Sequence, residues 1–191
     1  MTARLVRALV LVAVLWTAMA AVLRPAHGAE VIEVRSARIE SATAADGWML
    51  AADFSVPLPV RLEDAINRGV ALYFAVDFEL VRPRLYWWDE KTTQATRTYR
   101  LSYHALTRQY RLSVDGFAQA FASLDEAIQA MSRVRGWRVL EPDQVRPGNE
   151  YVAQLRMRLD TSMLPKPFQV SAITNRDWTL QAEWTRFRFA P

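Results

Sequence analysis

Leu72-Tyr73-Phe74-Ala75-Val76-Asp77-Phe78-Glu79-Leu80 is the stretch that decides the fold. Leu72, Phe74, Val76, Phe78 and Leu80 alternate with Tyr73, Ala75, Asp77 and Glu79. Side chains of an extended chain point to opposite faces with a period of two. The segment therefore reads as a strand with an apolar face turned inward and a more polar face turned outward.

The same period recurs on either side. Tyr99, Leu101 and Tyr103 alternate with Thr98, Arg100, Ser102 and His104. Tyr110, Leu112 and Val114 follow after a short connection near Thr107-Arg108, so these two strands are expected to form a hairpin. Tyr151, Ala153, Leu155, Met157 and Leu159 face one way, and Gln154, Arg156, Arg158 and Asp160 face the other. Near the C-terminus Trp178, Leu180, Ala182 and Trp184 alternate with polar residues, and Val31–Ser41 and Trp48–Val56 are weaker strands of the same kind.

Two helices interrupt the pattern. Ser123-Leu-Asp-Glu126 is a capping box, in which the serine oxygen takes the third amide of the helix while Glu126 reaches back. Leu124, Ala127, Ile128 and Met131 then fall at helical spacing, with Arg133 and Arg135 suited to the C-terminal end and Gly136 as the expected stop. Arg61–Gly69 is a shorter helix, with Leu62, Ala65 and Ile66 on one side. Pro147-Gly148 marks a turn. Leu164-Pro-Lys-Pro167 cannot lie in a central strand, because each proline removes a ladder donor. These elements predict a mainly β fold, an antiparallel β-sandwich that is immunoglobulin-like in the broad sense, with two short helices. The alternative is an α+β arrangement, a single sheet backed by helices.

The N-terminus has the three parts of an export signal. Arg4 and Arg7 supply positive charge, Ala8–Leu23 is an apolar run of 16 residues, and small residues follow the Arg24-Pro25 break. Cleavage after Gly28 leaves a signal peptide at residues 1–28 and one β-rich domain at residues 29–191. The protein is then periplasmic. The alternative is an uncleaved inner-membrane anchor through residues 8–23, although a spanning helix wants roughly 20 apolar residues. Membrane contact is expected only in that case. Without the signal the chain carries 21 basic and 20 acidic residues, since three of the 24 basic residues lie in residues 1–28. With charges interleaved along the chain and no basic cluster, nucleic acid is not an expected partner. There is no cysteine, so no disulfide staples the domain and no lipid can be attached through a thiol. Stability must come from burial, which a domain of this size supports.

Several segments resemble an uncharacterised exported family of Gram-negative bacteria, domain of unknown function 4390. They are Ala71-Leu-Tyr-Phe74, Phe78-Glu-Leu-Val-Arg-Pro-Arg-Leu-Tyr-Trp-Trp-Asp-Glu90 and Tyr99-Arg-Leu-Ser-Tyr-His-Ala-Leu-Thr-Arg-Gln-Tyr-Arg-Leu112. Leu124-Asp-Glu-Ala-Ile128, Leu164-Pro-Lys-Pro-Phe-Gln-Val170 and Asn175-Arg-Asp-Trp178 extend the likeness across the mature chain. The resemblance implies no assigned chemistry. It does imply an envelope signalling role, because such proteins are often encoded beside a membrane sensor histidine kinase.

Catalysis finds little support in the residues. His104 is the one histidine after the signal, and a zinc site needs three or four N, S or O ligands. No Gly-x-Ser-x-Gly elbow accompanies His104, and the glycines are isolated, so neither a serine triad nor a phosphate loop is indicated. No catalytic residue, metal or cofactor is expected. The unusual constellation is Arg84 followed by Tyr86, Trp87, Trp88, Asp89 and Glu90. Aromatics beside arginine are common anchors of protein interfaces, which makes this segment the candidate surface for a protein partner in the envelope. Two other readings stay open. In one the rings pack on alternate faces of a strand; in the other they stack on a glycan that the paired carboxylates hold or cleave. Trp137, Trp178 and Trp184 read as core residues, the last two on one shared face. The expected function is a non-enzymatic periplasmic interaction module. A glycan-binding or glycan-cleaving protein and a membrane-anchored structural protein are the alternatives.

Overall fold

The computed structural model describes residues 31–41, 47–83, 90–175 and 178–191. These residues form a mainly β fold of two antiparallel sheets with few, short helices. The strands are β1 (Glu33–Ser41), β2 (Trp48–Ser55), β3 (Leu72–Arg82), β4 (Glu90–His104), β5 (Gln109–Val114), β6 (Phe117–Phe121), β7 (Arg133–Leu140), β8 (Tyr151–Leu159) and β9 (Thr185–Phe189). The helices are α1 (Val60–Asn67), α2 (Leu124–Met131) and α3 (Lys166–Thr174). One sheet has the order β1-β2-β7 and the other β6-β5-β4-β3-β8-β9. The single-sheet alternative is therefore not what forms.

The deciding stretch becomes β3, at the centre of the larger sheet. It pairs with β4 on one side, Phe74 opposite Tyr99, and with β8 on the other, Phe78 opposite Leu155. Leu72, Phe74, Val76, Phe78 and Leu80 are all buried on one face. They join Leu155 and Met157 of β8, Leu50 and Phe54 of β2, Val134 of β7, Leu62 and Ile66 of α1, and Met131 of α2 in one apolar cluster. The smaller sheet reaches the larger one where β1 meets β8 and β9 and where β7 meets β4. Removing this apolar surface from water is the main driving term for the fold.

The β4–β5 hairpin forms as the alternation predicts, Tyr103 opposite Tyr110. Helix α2 begins at Ser123, whose Oγ accepts from the Glu126 amide at 3.2 Å. The Glu126 carboxylate reaches back one residue further than a capping box requires, accepting from the Ala122 amide at 3.2 Å.

Two expectations need correction, and two further elements, β6 and α3, were not foreseen. Helix α2 ends at Met131, not at Gly136, and Arg133–Leu140 is strand β7. Its pairing with β2 slips between Leu50 and Ala52, so no clean period of two is left in the sequence to reveal it. Strand β6, Phe117–Phe121, was hidden because it is a short edge strand that buries almost nothing. The segment from Leu164 leads into helix α3, with Pro167 in its first turn, where a missing amide costs no hydrogen bond. Finally, the alternation of Trp178–Trp184 does not make a regular strand; the strand lies one step on, at β9. The Ala182 amide donates to the Met157 carbonyl while Thr185 pairs with Leu155. Three residues on this edge thus span two on β8. That extra residue is a bulge, and it reverses the side-chain direction between Ala182 and Trp184.

Candidate functional site

Arg84, Tyr86, Trp87, Trp88 and Asp89 lie outside the described residues, and of Glu90 only the backbone, at the start of β4, is described. His104 stands exposed at the end of β4, with Nδ1 3.1 Å from the Thr107 hydroxyl in the hairpin loop. Among the described residues no group of three metal-ligating side chains comes together.

What the structure does assemble is the outer face of the six-stranded sheet. Its centre is Asp77 of β3, 5 % exposed and the one charged residue that is buried among the described residues. The register puts Thr96 of β4 on one side of it and Arg156 of β8 on the other. Asp77 Oδ1 accepts from Thr96 Oγ1 at 3.0 Å. Oδ2 accepts from Arg156 Nε at 3.0 Å and from Arg158 Nε at 2.9 Å. Burial pushes the Asp77 carboxyl up, but the hydrogen bonds from Arg158 and Arg156, the Arg158 charge and Thr96 outweigh it. The group titrates below the usual aspartate range. For Arg158 burial works against the charge, and Asp77 and Asp160 more than restore it, so its guanidinium is held protonated.

Around this centre the face is basic. Arg100 of β4 lies opposite Tyr73, and Arg111 of β5 lies opposite Ser102. Arg186 and Arg188 of β9 lie opposite Gln154 and Val152 of β8. All four arginines are exposed, and none pairs with a carboxylate among the described residues. Lys91 is answered by Glu79 at 3.0 Å, which leaves the arginines as the uncompensated charge. Trp184, turned outward by the bulge, lies with its ring 4.5 Å from the Arg156 guanidinium carbon. This corrects its assignment to the core face; Trp178, by contrast, is buried against Phe168. Trp137 is half-buried, with the Arg97 guanidinium over its ring.

From β5 to β9 the face is about 19 Å wide, at about 4.8 Å per strand. Asp77 grips both central guanidinium groups by Nε and orients them. A planar guanidinium presents paired N–H donors that match a carboxylate or phosphate, so the face is built to meet anions. The smaller sheet differs. Most of its charges are matched, as in Arg135 with Asp53 at 2.6 Å and Arg35 with Glu33 at 3.3 Å. A separate cleft of about 450 Å³ opens between α1 and the α3 region, lined by Arg61, Asp64, Arg68, Phe168, Asn175 and Trp178.

The sequence did not single out this face because its arginines come from β4, β5, β8 and β9. One signal was available: Asp77 interrupts an apolar centre, and Arg156 and Arg158 share the polar side of another strong strand.

A family model described as "Domain of unknown function (DUF4390)" matches residues 29–188. No curated protein and no solved structure matches the chain.

Proposed function

The chain belongs to the DUF4390 family, and from that premise we propose that it is an exported, non-enzymatic interaction module of the cell envelope. Its binding surface is the arginine face of the six-stranded sheet, and its partner is an acidic protein surface such as the outer part of a membrane sensor kinase. The single observation behind this reading is the segregation of charge. A mature chain near electrical balance gathers Arg100, Arg111, Arg156, Arg186 and Arg188 on one side of one sheet. Such a patch speeds and orients encounter with an opposite surface. The charged start, apolar run and small-residue exit of residues 1–28 support export to the periplasm. The shared apolar cluster supports a β-sandwich, the smaller sheet laid over the inner face of the larger.

The test uses protein recovered from the periplasm, whose mass should correspond to a chain starting near Ala29. Binding of a poly-glutamate peptide should weaken steeply with added salt. It should fall at least about tenfold in the Arg186→Glu, Arg188→Glu double variant, as loss of two charge pairs at an interface implies. Arg133→Glu on the smaller sheet should change nothing. Equal binding by the wild type and the double variant would remove the reading. So would tighter binding to anionic lipid vesicles than to the peptide.

A further inference from the structure

The four sheet edges are not alike. Edge β1 carries Glu33, Arg35, Arg38 and Glu40 and a bulge between Val34 and Ser36. Edge β7 carries Arg133, Arg135 and Arg138 and is also irregular. Edge β9 carries Arg186 and Arg188. Charges and bulges of this kind keep a sheet edge from pairing with another chain. Edge β6 has neither. Its sequence, Phe117-Ala118-Gln119-Ala120-Phe121, is uncharged and free of proline, and its pairing with β5 is regular. Phe117 is 79 % exposed.

The strand is also a palindrome. Read in either direction it is Phe-Ala-Gln-Ala-Phe. Antiparallel pairing with itself about Gln119 places Phe against Phe, Ala against Ala and Gln against Gln. A two-fold dimer needs that self-complementarity. The hydrogen-bond phase agrees. Asp115 and Gly116, with φ of 50° and 84°, form a two-residue hairpin turn closed by Val114 opposite Phe117. The pair closing such a turn is hydrogen-bonded, and the bonding alternates along the ladder. Gln119 therefore bonds back to Leu112, while Ala118 and Ala120 direct their N–H and C=O groups away from β5. Those are the groups that a strand centred on Gln119 would meet, Ala118 with Ala120 of the second copy and the reverse.

We propose that the protein forms a two-fold dimer by antiparallel β6–β6 pairing centred on Gln119, joining two six-stranded sheets edge to edge. The exposed Phe117 ring, opposite Val114 in its own sheet, then packs against Phe121 of the second copy. Five residues a side is a small interface, so the dimer is concentration-dependent. The two-fold axis runs perpendicular to the sheet, which turns both arginine faces the same way. The dimer itself does not rest on what those faces bind.

Sedimentation velocity over a concentration series of the mature protein should show the mass rising from one chain toward two. Gln119→Lys and Gln119→Asp should each remain monomeric at concentrations where the wild type dimerises. Mixed together, they should restore a heterodimer, because residue 119 faces its own copy. A non-hydrogen-bonded pair has its Cα atoms about 4.5 Å apart, inside the roughly 4.4–6.8 Å range of a disulfide. The chain has no cysteine, so Gln119→Cys should oxidise to a covalent dimer faster than Ala118→Cys. A wild type that stays monomeric throughout, variants that dimerise as the wild type does, or equal crosslinking at 118 and 119 would each overturn the proposal. Should a charged variant unfold by circular dichroism, the cysteine comparison alone decides.

Discussion

Replacing Asp77 with asparagine removes one charge from the centre of the arginine face and leaves its shape intact. The amide oxygen can stand where Oδ2 accepts from Arg156 and Arg158, and the amide nitrogen can face the Thr96 hydroxyl. What is lost is charge assistance in two guanidinium bonds. Hydrogen bonds to charged groups contribute about 1.5–3 kcal/mol each, against about 1 kcal/mol for neutral ones. The Asp77 side chain is only 7 % exposed, but those of Arg156 and Arg158 are 29 % and 30 % exposed and recover some hydration. The net expectation at pH 7 is a loss of about 1–2 kcal/mol, or about 3–6 °C in Tm for a domain of this size. Asp77→Ala, which abolishes all three bonds, should cost about 2–4 kcal/mol.

The pH dependence carries the sharper test. Asp77 titrates lower in the folded chain than in the unfolded one, where an aspartate sits at about 3.9. Its contribution is then fully present above the unfolded value and is lost as pH falls through the folded one. Urea denaturation of wild type and Asp77→Asn should therefore show a constant gap from pH 8 to about pH 5, closing at lower pH as the wild-type carboxyl takes up its proton. Other acids titrate in both proteins and cancel. Equal stability at pH 7, or a gap that persists unchanged into strong acid, would refute the assignment of Asp77 as a charge held by two arginines.

Two further substitutions probe the frame. Gly47 and Gly69 both have positive φ, at 74° and 88°, yet a Cβ at Gly47 would run into the Leu140 carbonyl while one at Gly69 meets nothing within 4 Å. Gly69→Ala should cost about 1 kcal/mol from backbone conformation alone, and Gly47→Ala about 1–3 kcal/mol more in the same denaturation assay, because backbone must move. Ser123→Ala removes the oxygen that caps α2 and should lower stability by about 1 kcal/mol in thermal or urea unfolding.

Strands that bury a full face were legible in the sequence. β3, β8 and the β4–β5 hairpin lie where their alternation predicts, because a half-buried pleat imposes period two on the residues it hides. Helix α2 was legible at its start, where Ser123 is a local chemical signal, and not at its end. There the chain passes from Met131 directly into β7, without the stop expected of Gly136. β6 was illegible for the opposite reason to β3: it hides little and so carries no pattern.

The amino-acid order by itself determined the alternating apolar faces, the turn and cap chemistry, the absence of cysteine and the near balance of charge. Each of these is a property of neighbours along the chain. Only the tertiary structure decided which charges stand together. Asp77 and Arg158 are 81 positions apart, and Arg100 and Arg186 further still. They share one face because β3 pairs with β4 and β8, and β8 with β9, and strand pairing is set by burial on the other side of the sheet. The bulge before Thr185 turned Trp184 outward for the same reason: one extra residue there lets Leu180, Ala182 and Phe187 keep their apolar side chains out of water.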